Sequence, residues 1–161
     1  MEKLYRQWLR EYQDQVWSLA SYLLKDNGEA EDVAQEAFIK LWQHRERLDG
    51  PRVRPWLLRV TRNLCLDRLR RRRPEVELDE SAMHHADTTE SGLQRSEASR
   101  WLQQAIERLQ EPYRSLVILR DLQQHSYEEV AGVTELSLPQ VKTYLHRARR
   151  QLREQLVELR T

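Results

Sequence analysis

The sequence predicts an all-α protein with two small helical domains joined by a flexible acidic linker, the C-terminal domain having four helices and containing a helix-turn-helix. Apolar residues recur at steps of three and four along most of the chain, as they do on one face of an α-helix. Only four of the 161 residues are glycine and 33% are charged, which is typical of small helical domains. Changes in charge along the chain set the predicted domains at 1–73 and 95–161, with the linker at 74–94.

The first helix carries one apolar stripe and is predicted to end at Asp26-Asn27-Gly28, which contains a residue suited to the left-handed conformation. The stripe consists of Leu4, Trp8, Tyr12, Val16, Leu19 and Leu23. A second helix begins at Glu29, with acidic side chains in its first turn, where the helix dipole favours them. Its apolar side consists of Val33, Ala37, Phe38, Leu41 and Trp42.

Residues 45–54 interrupt the helical pattern with Gly50-Pro51 and are predicted to form a basic loop. Pro55 is predicted to open the third helix, because proline is tolerated in a first turn. The side chains expected to face inward are Trp56, Leu57, Val60 and Leu64. The helix ends in Arg68 and the arginine run 70–73. Such a run is either a solvated helix end or part of an anion-binding surface.

Residues 74–94 contain six Asp and Glu and no Lys or Arg. The segment begins at a proline and lacks sustained periodicity, so we predict a flexible linker. Its His84-His85 pair has no partners at metal-ligand spacing, and we therefore predict no metal site. An acidic linker can also screen basic surfaces of the same chain.

The segment Ser126–Arg150 predicts the helix-turn-helix, in which Ser137 caps the longer helix and Pro139 lies in its first turn. The buried face of that helix consists of Leu138, Val141, Leu145, Ala148 and Leu152. Tyr127 and Val130 are predicted to pack the two helices together. No acidic residue interrupts 142–153, so the opposite face suits phosphate and base edges. Taken alone, the pattern also fits an amphipathic surface helix with a solvated basic side.

The formal net charge of only +1 hides two basic segments. Residues 1–73 contain 16 basic against 11 acidic residues, and residues 95–161 contain 11 against 9.

Composition and motifs exclude several other classes of protein. Cys65 is the single cysteine, and no long apolar run is present, so we expect a cytoplasmic protein without membrane insertion. The sequence lacks metalloprotease, phosphate-loop and nucleophile motifs, so we predict no catalytic residue and no cofactor.

Three blocks of the sequence match conserved regions of one family. They are Glu29–Trp42 (EAEDVAQEAFIKLW), Arg54–Arg71 (RPWLLRVTRNLCLDRLRR) and Leu109–Arg150, which contains P-Y-R, L-R-D-L, S-Y-E-E-V-A and L-H-R-A-R. Together and in this order they resemble the extracytoplasmic-function sigma factors, the small two-domain promoter-recognition subunits of bacterial RNA polymerase. The resemblance covers nearly the whole chain outside the linker.

The resemblance implies a division of labour. The second helix is expected to dock on the clamp helices of the polymerase's largest subunit through Glu31, Asp32, Gln35, Glu36 and Trp42. The basic loop and third helix are expected to hold the opened strand at the promoter −10 element through Arg52, Arg54, Arg59, Arg62, Asn63 and Arg70. The last helix is expected to read the −35 duplex with Gln140, Thr143, Tyr144 and Arg147 at base edges or their rim and Lys142, His146, Arg149 and Arg150 mostly at phosphates.

The resemblance further implies contact with the flap of the second-largest polymerase subunit and an anti-sigma factor as a partner. Structural roles stay open for Trp42, as a core residue, and for Asn63 and Asp67, as a polar link one helical turn apart. The family commonly has Gly near Glu135 and in place of Pro139, and Arg in place of Tyr144. We therefore expect a turn of changed shape and a different promoter preference. A free-standing helix-turn-helix regulator and a helical interaction protein are the alternative functions.

Overall fold

The computed structural model describes residues 2–72 and 96–160, which form seven helices and no β-strand. The N-terminal helices are α1 (Glu2–Leu24), α2 (Asn27–His44) and α3 (Gly50–Arg71). The C-terminal helices are α4 (Glu97–Glu107), α5 (α-helical over Tyr113–Leu116 and π-helical over Val117–Leu122), α6 (Tyr127–Thr134) and α7 (Leu138–Arg160). The all-α prediction is confirmed. The predicted linker, with His84-His85, lies outside the described residues.

The turn between α1 and α2 lies earlier than predicted. α1 ends at Leu24, and Lys25 adopts the left-handed conformation with a φ of 59°. Asp26 then caps α2, because its carboxylate accepts a hydrogen bond from the backbone N–H of Glu29 at 3.1 Å. Gly28 consequently lies in the first turn of α2 and has no positive φ.

The predicted basic loop, residues 45–54, is mostly helical, which corrects that prediction. Arg45–Arg47 form one turn of 3₁₀-helix, and α3 already begins at Gly50. Pro51 occupies the first turn of α3, where a missing N–H removes no helical hydrogen bond. Pro55 therefore lies inside α3 instead of opening it.

α3 is buried on two sides, which changes its predicted inward face. Leu57, Leu58 and Cys65 are fully buried, whereas Trp56, Val60 and Leu64 are only half-buried. The reason is that α3 packs against α1 and α2 and also against α6 of the C-terminal domain. An amphipathic pattern reports one buried face, so a helix held between two domains departs from it.

Arg114, in the P-Y-R motif, fixes the start of α5 to the end of α4. Its guanidinium donates hydrogen bonds to the carbonyl oxygens of Glu107 at 3.0 Å and Leu109 at 2.8 Å. Carbonyls at this end of a helix have no partners within the helix. Burial lowers the pKa of Arg114, but an arginine pKa starts so far above neutrality that the side chain stays charged.

The helix-turn-helix forms as predicted, from α6 and α7. Ser137 accepts a hydrogen bond from the backbone N–H of Gln140 at 3.2 Å, and the Gln140 side chain accepts one from the backbone N–H of Ser137 at 2.9 Å. This reciprocal pair is a capping box. Glu135 itself adopts the left-handed conformation, with a φ of 62°. The expected change in the shape of the turn does not occur, because Glu135 takes the conformation that favours glycine.

The C-terminal core supports the predicted packing of the helix pair. Val141, Leu145 and Ala148 of α7 are buried, as is Val130 of α6, and Tyr127 is half-buried against them. The prediction that Tyr127 and Val130 pack the two helices is confirmed. Within residues 2–72 and 96–160, none of the helices has the length and apolar character needed to cross a bilayer.

Candidate polymerase and DNA interfaces

The outer side of α2 combines acidic and apolar side chains. The predicted polymerase contacts Glu31, Asp32, Gln35 and Glu36 are all exposed. Ile39 follows Gln35 by four residues and Glu36 by three, so it lies on the same side of the helix, and it is 56% exposed. We call Asp32, Gln35, Glu36, Ile39 and Trp42 the α2 surface.

Trp42 packs against neighbouring side chains and is also accessible to solvent. Its ring meets the Tyr5 ring edge-on, with 5.0 Å between centroids. The Arg45 guanidinium lies 3.6 Å from the Trp42 ring centroid, in a cation–π contact. The side chain nevertheless stays 37% exposed. Neighbours thus fix the ring in place while one side of it remains open to a partner.

Four of the six predicted −10 contacts are accessible on α3. Arg52, Asn63 and Arg70 are exposed, and Arg59 is half-buried. Arg70 lies 3.5 Å from the Asp67 carboxylate, which also pairs with Arg71 at 2.7 Å. In the described part of the chain no hydrogen bond joins Asn63 to Asp67, so the polar link that the sequence left open is not formed.

Arg54 and Arg62, the other two, point into the C-terminal domain. Arg54 donates two hydrogen bonds to the two carboxylate oxygens of Glu129, at 2.9 and 2.5 Å. Arg62 is only 8% exposed. It donates to the Ser115 hydroxyl at 2.8 Å and to the Glu111 carboxylate at 3.2 Å. These contacts join α3 to α5 and α6. The paired residues are far apart in the sequence, and the motifs do not indicate that they pair.

Two further hydrogen bonds cross between the domains, and His125 lies beside the Arg54–Glu129 pair. The Arg114 guanidinium donates to the backbone carbonyl of Leu23 on α1 at 3.5 Å. The Gln123 side-chain amide donates to the backbone carbonyl of Gln15 on α1 at 3.0 Å. His125 is 3% exposed and lies 3.7 Å from the Glu129 carboxylate. Burial lowers the pKa of His125, and the nearby Arg54 adds to this effect while Glu129 opposes it. We call this whole set of residues the interdomain contact.

The outer side of α7 presents most of the predicted −35 contacts to solvent. The exposed side chains are Gln140, Lys142, Thr143, His146, Arg147 and Arg150. Tyr144 is half-buried, with its ring edge-on to Tyr113 at 6.0 Å and the Arg147 guanidinium 5.7 Å from its centroid. Tyr144 therefore lies at the rim of this surface and supports Arg147.

Arg149 is held within the C-terminal domain. Its guanidinium donates to both carboxylate oxygens of Asp121, at 3.1 and 2.6 Å. These hydrogen bonds raise the pKa of Arg149. Next to this pair, the Arg120 guanidinium lies 4.5 Å and the Lys142 ammonium 5.9 Å from the centroid of the Tyr127 ring. Of the eight predicted −35 residues, Arg149 is the one that donates to both oxygens of a carboxylate, so its charge is already paired.

Comparisons with known proteins find a matching family for each half of the chain. Residues 8–75 match the family described as Sigma-70 region 2, and residues 99–152 match the family described as Sigma-70, region 4. The ECF RNA polymerase sigma factor SigW of Bacillus subtilis (strain 168) is 31% identical over 92% of this chain and 86% of its own length. The chain belongs to the extracytoplasmic-function sigma factors. We therefore call α1 to α3 region 2 and α4 to α7 region 4.

Other proteins are also similar to this sigma factor over most of its length. The ECF RNA polymerase sigma factor SigE of Mycolicibacterium smegmatis is 32% identical over 93% of this chain and 60% of its own length. The solved sigma factor RpoE from Bartonella quintana, in complex with the anti-sigma factor NepR, has a TM-score of 0.77 at 25% identity. That likeness covers 96% of this chain and 97% of the solved one. Family membership favours a polymerase-bound function over a free-standing regulator or a helical interaction protein.

Sigma factors as a family are not enzymes. Cys65 is fully buried, and burial raises the pKa of its thiol to about 12, so the thiol stays protonated at neutral pH. Within residues 2–72 and 96–160 no three His, Cys, Asp or Glu side chains are grouped so as to hold a metal ion.

Sequence reasoning missed Ile39, Asp121 and the carboxylates of the interdomain contact. Ile39 left a readable signal, because it is an apolar residue outside the predicted stripe of α2. Asp121 lies in the L-R-D-L motif, but nothing in the spacing joins it to Arg149 on another helix. Glu111 and Glu129 of region 4 are likewise paired with region 2 only once both regions are folded.

Proposed function

We propose that this sigma factor binds core RNA polymerase through the α2 surface, which docks on the clamp helices of the largest subunit. The observation that carries this proposal is the exposure of Ile39 and Trp42 among Asp32 and Glu36. Apolar and aromatic side chains at the centre of a surface supply contact area, and an acidic rim selects a basic partner and repels DNA. A helix face of this kind suits a protein groove.

We propose that promoters are read by α3 and α7. On α7, Gln140, Thr143 and Arg147 face base edges of the −35 duplex, while Lys142 and Arg150 neutralise phosphates. On α3, Arg52 and Arg59 follow the backbone of the opened −10 strand. The exposure of Arg52 and of the α7 side chains supports both assignments, and Arg59 is half-buried on α3, about two helical turns from Arg52.

The remaining assignments follow from the family. We propose that region 4 contacts the flap of the second-largest subunit, and that an anti-sigma factor binds this chain as NepR binds RpoE in the solved complex. We further propose the domain bounds 1–73 and 95–161, with 74–94 as a tether. The chain acts in the cytoplasm and supplies no catalytic residue, because the polymerase performs the chemistry.

Two tryptophans allow a matched test of core binding. Trp42 and Trp17 are 37% and 41% exposed on α2 and α1 of the same region. Trp42→Ala is expected to weaken binding of labelled sigma factor to core polymerase about tenfold, because truncating a central aromatic anchor costs more than about 1 kcal/mol. Trp17→Ala should leave the affinity unchanged. Ile39→Asp should weaken binding at least as much as Trp42→Ala.

If the two tryptophan variants bound core polymerase with equal affinity, the α2 surface would not be the polymerase contact. Chemical denaturation of each variant is the accompanying control. It separates a lost contact from a lost fold, because a folding defect lowers the unfolding midpoint and a contact defect does not.

A further inference from the structure

Tyr113, the tyrosine of the P-Y-R motif, joins the start of α5 to the outer side of α7. It is half-buried, and its ring meets the Tyr144 ring edge-on, with 6.0 Å between centroids and 72° between the ring planes. Edge-on pairs are favourable because the positive rim of one ring faces the negative face of the other. The next residue, Arg114, holds the start of α5 to the end of α4. Tyr144 therefore has an aromatic neighbour whose position is set outside α7.

Arg147 is held by the Tyr144 ring and not by a carboxylate. Its guanidinium lies 5.7 Å from the ring centroid, and the two residues are three apart on α7, so they are neighbours on its surface. Among the residues that the structure describes, no Asp or Glu pairs with Arg147. Arg149 on the same helix, by contrast, donates to both oxygens of Asp121. The charge and the N–H donors of Arg147 thus stay available while one ring restricts its motion.

Reading a base edge requires both of these properties. An arginine distinguishes guanine by donating two hydrogen bonds to its O6 and N7 atoms in the major groove, which requires free donors. An exposed arginine has many rotamers, and fixing one of them on binding costs affinity. A ring that restricts Arg147 beforehand lowers that cost at the base pair that Arg147 contacts. A phosphate contact gains less from such restriction, because it depends mainly on charge.

We propose that Tyr113 is a positioning residue for −35 recognition and that the base read through it is a guanine. Tyr113 holds the Tyr144 ring, and that ring orients the Arg147 guanidinium towards the O6 and N7 atoms of the base. This inference rests on the proposed reading of the −35 duplex by α7. It gives the P-Y-R motif two tasks, because Arg114 joins α4 to α5 and Tyr113 sets the base preference of α7.

Binding of promoter variants by reconstituted polymerase tests this role. The sigma factor, assembled with core polymerase, is titrated against fluorescein-labelled duplexes of the promoter upstream of the chain's own gene, with each −35 base pair replaced in turn. Fluorescence anisotropy gives, at every position, the ratio of the affinities for the original and the replaced base pair. Arg147→Ala identifies the base pair that Arg147 reads, since the ratio there is expected to fall towards one. That base pair is expected to be G·C.

Tyr113→Leu keeps an apolar side chain at this position but removes the ring. It is expected to lower the ratio at the base pair of Arg147 about threefold, which corresponds to a cation–π contact at an exposed site, and to leave the other ratios unchanged. Tyr113→Phe is expected to behave as the unmodified chain does, because the edge-on contact needs the ring and not the hydroxyl. In an Arg147→Ala background, Tyr113→Leu is expected to change no ratio, since its effect passes through the arginine.

Tyr127→Leu is the matched control. Tyr127 is also a half-buried tyrosine of region 4, and its ring lies beside Lys142, which is expected to contact a phosphate. Its loss is expected to lower the affinity for all duplexes alike and to leave every ratio as it was, because phosphate contacts do not distinguish sequences. A folding defect in region 4 would also act on all duplexes equally.

Each outcome decides the inference. If Tyr113→Leu lowered the affinity for every duplex by one common factor, as expected of Tyr127→Leu, Tyr113 would have a structural role only and the inference would be overturned. A base pair other than G·C at the Arg147 position would also overturn it. If Arg147→Ala lowered one ratio and Tyr113→Leu did not, the inference alone would fail.

If Arg147→Ala changed no ratio, the proposed reading of the −35 duplex by Arg147 would fail together with the inference. The inference is supported if Arg147→Ala and Tyr113→Leu lower the ratio at one shared G·C pair and Tyr113→Phe retains it.

Discussion

Glu135 holds a left-handed backbone conformation, φ 62° and ψ 32°, at the turn between α6 and α7. A residue with a Cβ is disfavoured there by roughly 1 kcal/mol or more. Glu135→Gly is therefore expected to raise the free energy of unfolding by up to about 1 kcal/mol, part of the gain being lost to the greater freedom of glycine in the unfolded chain. Chemical denaturation measures the change. Glu135→Ala keeps the Cβ and is the control; a gain of the same size there would contradict the account.

His125 makes the stability of the fold depend on pH. Because burial lowers its pKa, the neutral imidazole is favoured in the folded state relative to the unfolded one, where the pKa is about 6.5. Its contribution is complete above that value and is lost as the pH falls through the lower, folded-state pKa. His125→Gln is expected to flatten the decline in unfolding free energy as the pH falls below about 6.5. Parallel declines in both proteins would refute the role of His125.

At the scale of elements, α7 carries two adjacent arginines with different surroundings. Arg149 donates to both oxygens of Asp121, whereas Arg150 is 73% exposed and lies 3.8 Å from an equally exposed Glu154. A pair as exposed as the second contributes little and leaves Arg150 available for phosphate. The two residues therefore provide a matched comparison on one helix.

Arg150→Ala is expected to lower the slope of log affinity against log salt by about one for duplex promoter DNA, as the loss of one phosphate contact does. Arg149→Ala is expected to change that slope less, because its charge is already compensated by Asp121. Fluorescence anisotropy titrations at several salt concentrations give both slopes. Identical slopes for the two variants would contradict the view that Asp121 already compensates the charge of Arg149.

The helices themselves were predictable, because their apolar periodicity is a local property. The boundaries were less so: the Asp26 cap shifted the start of α2, and the fixed φ of Pro51 allowed α3 to begin before Pro55. The same limit applies to the candidate site. Exposed residues of α7, such as Arg147, follow from the pattern of one helix, but Arg62 and Glu111 are 49 positions apart. Their pairing depends on how two folded regions meet, which periodicity does not report.

At the scale of the whole molecule, the basic residues differ in what they contact. Arg54 and Arg62 join region 2 to region 4. We propose that the exposed basic residues of α3 and α7 contact the promoter while core polymerase holds region 2 through the α2 surface. A chain with a net charge of only +1 therefore depends on where its charges are exposed rather than on their sum.

We expect this chain to select promoters only together with core polymerase. The most direct measurement is reconstituted transcription: purified chain and bacterial core polymerase on a template that carries the promoter upstream of the chain's own gene. We expect a specific transcript that needs both components and is reduced by Arg147→Ala through loss of the −35 contact. Specific duplex binding by the isolated chain, without a transcript when core polymerase is added, would contradict it.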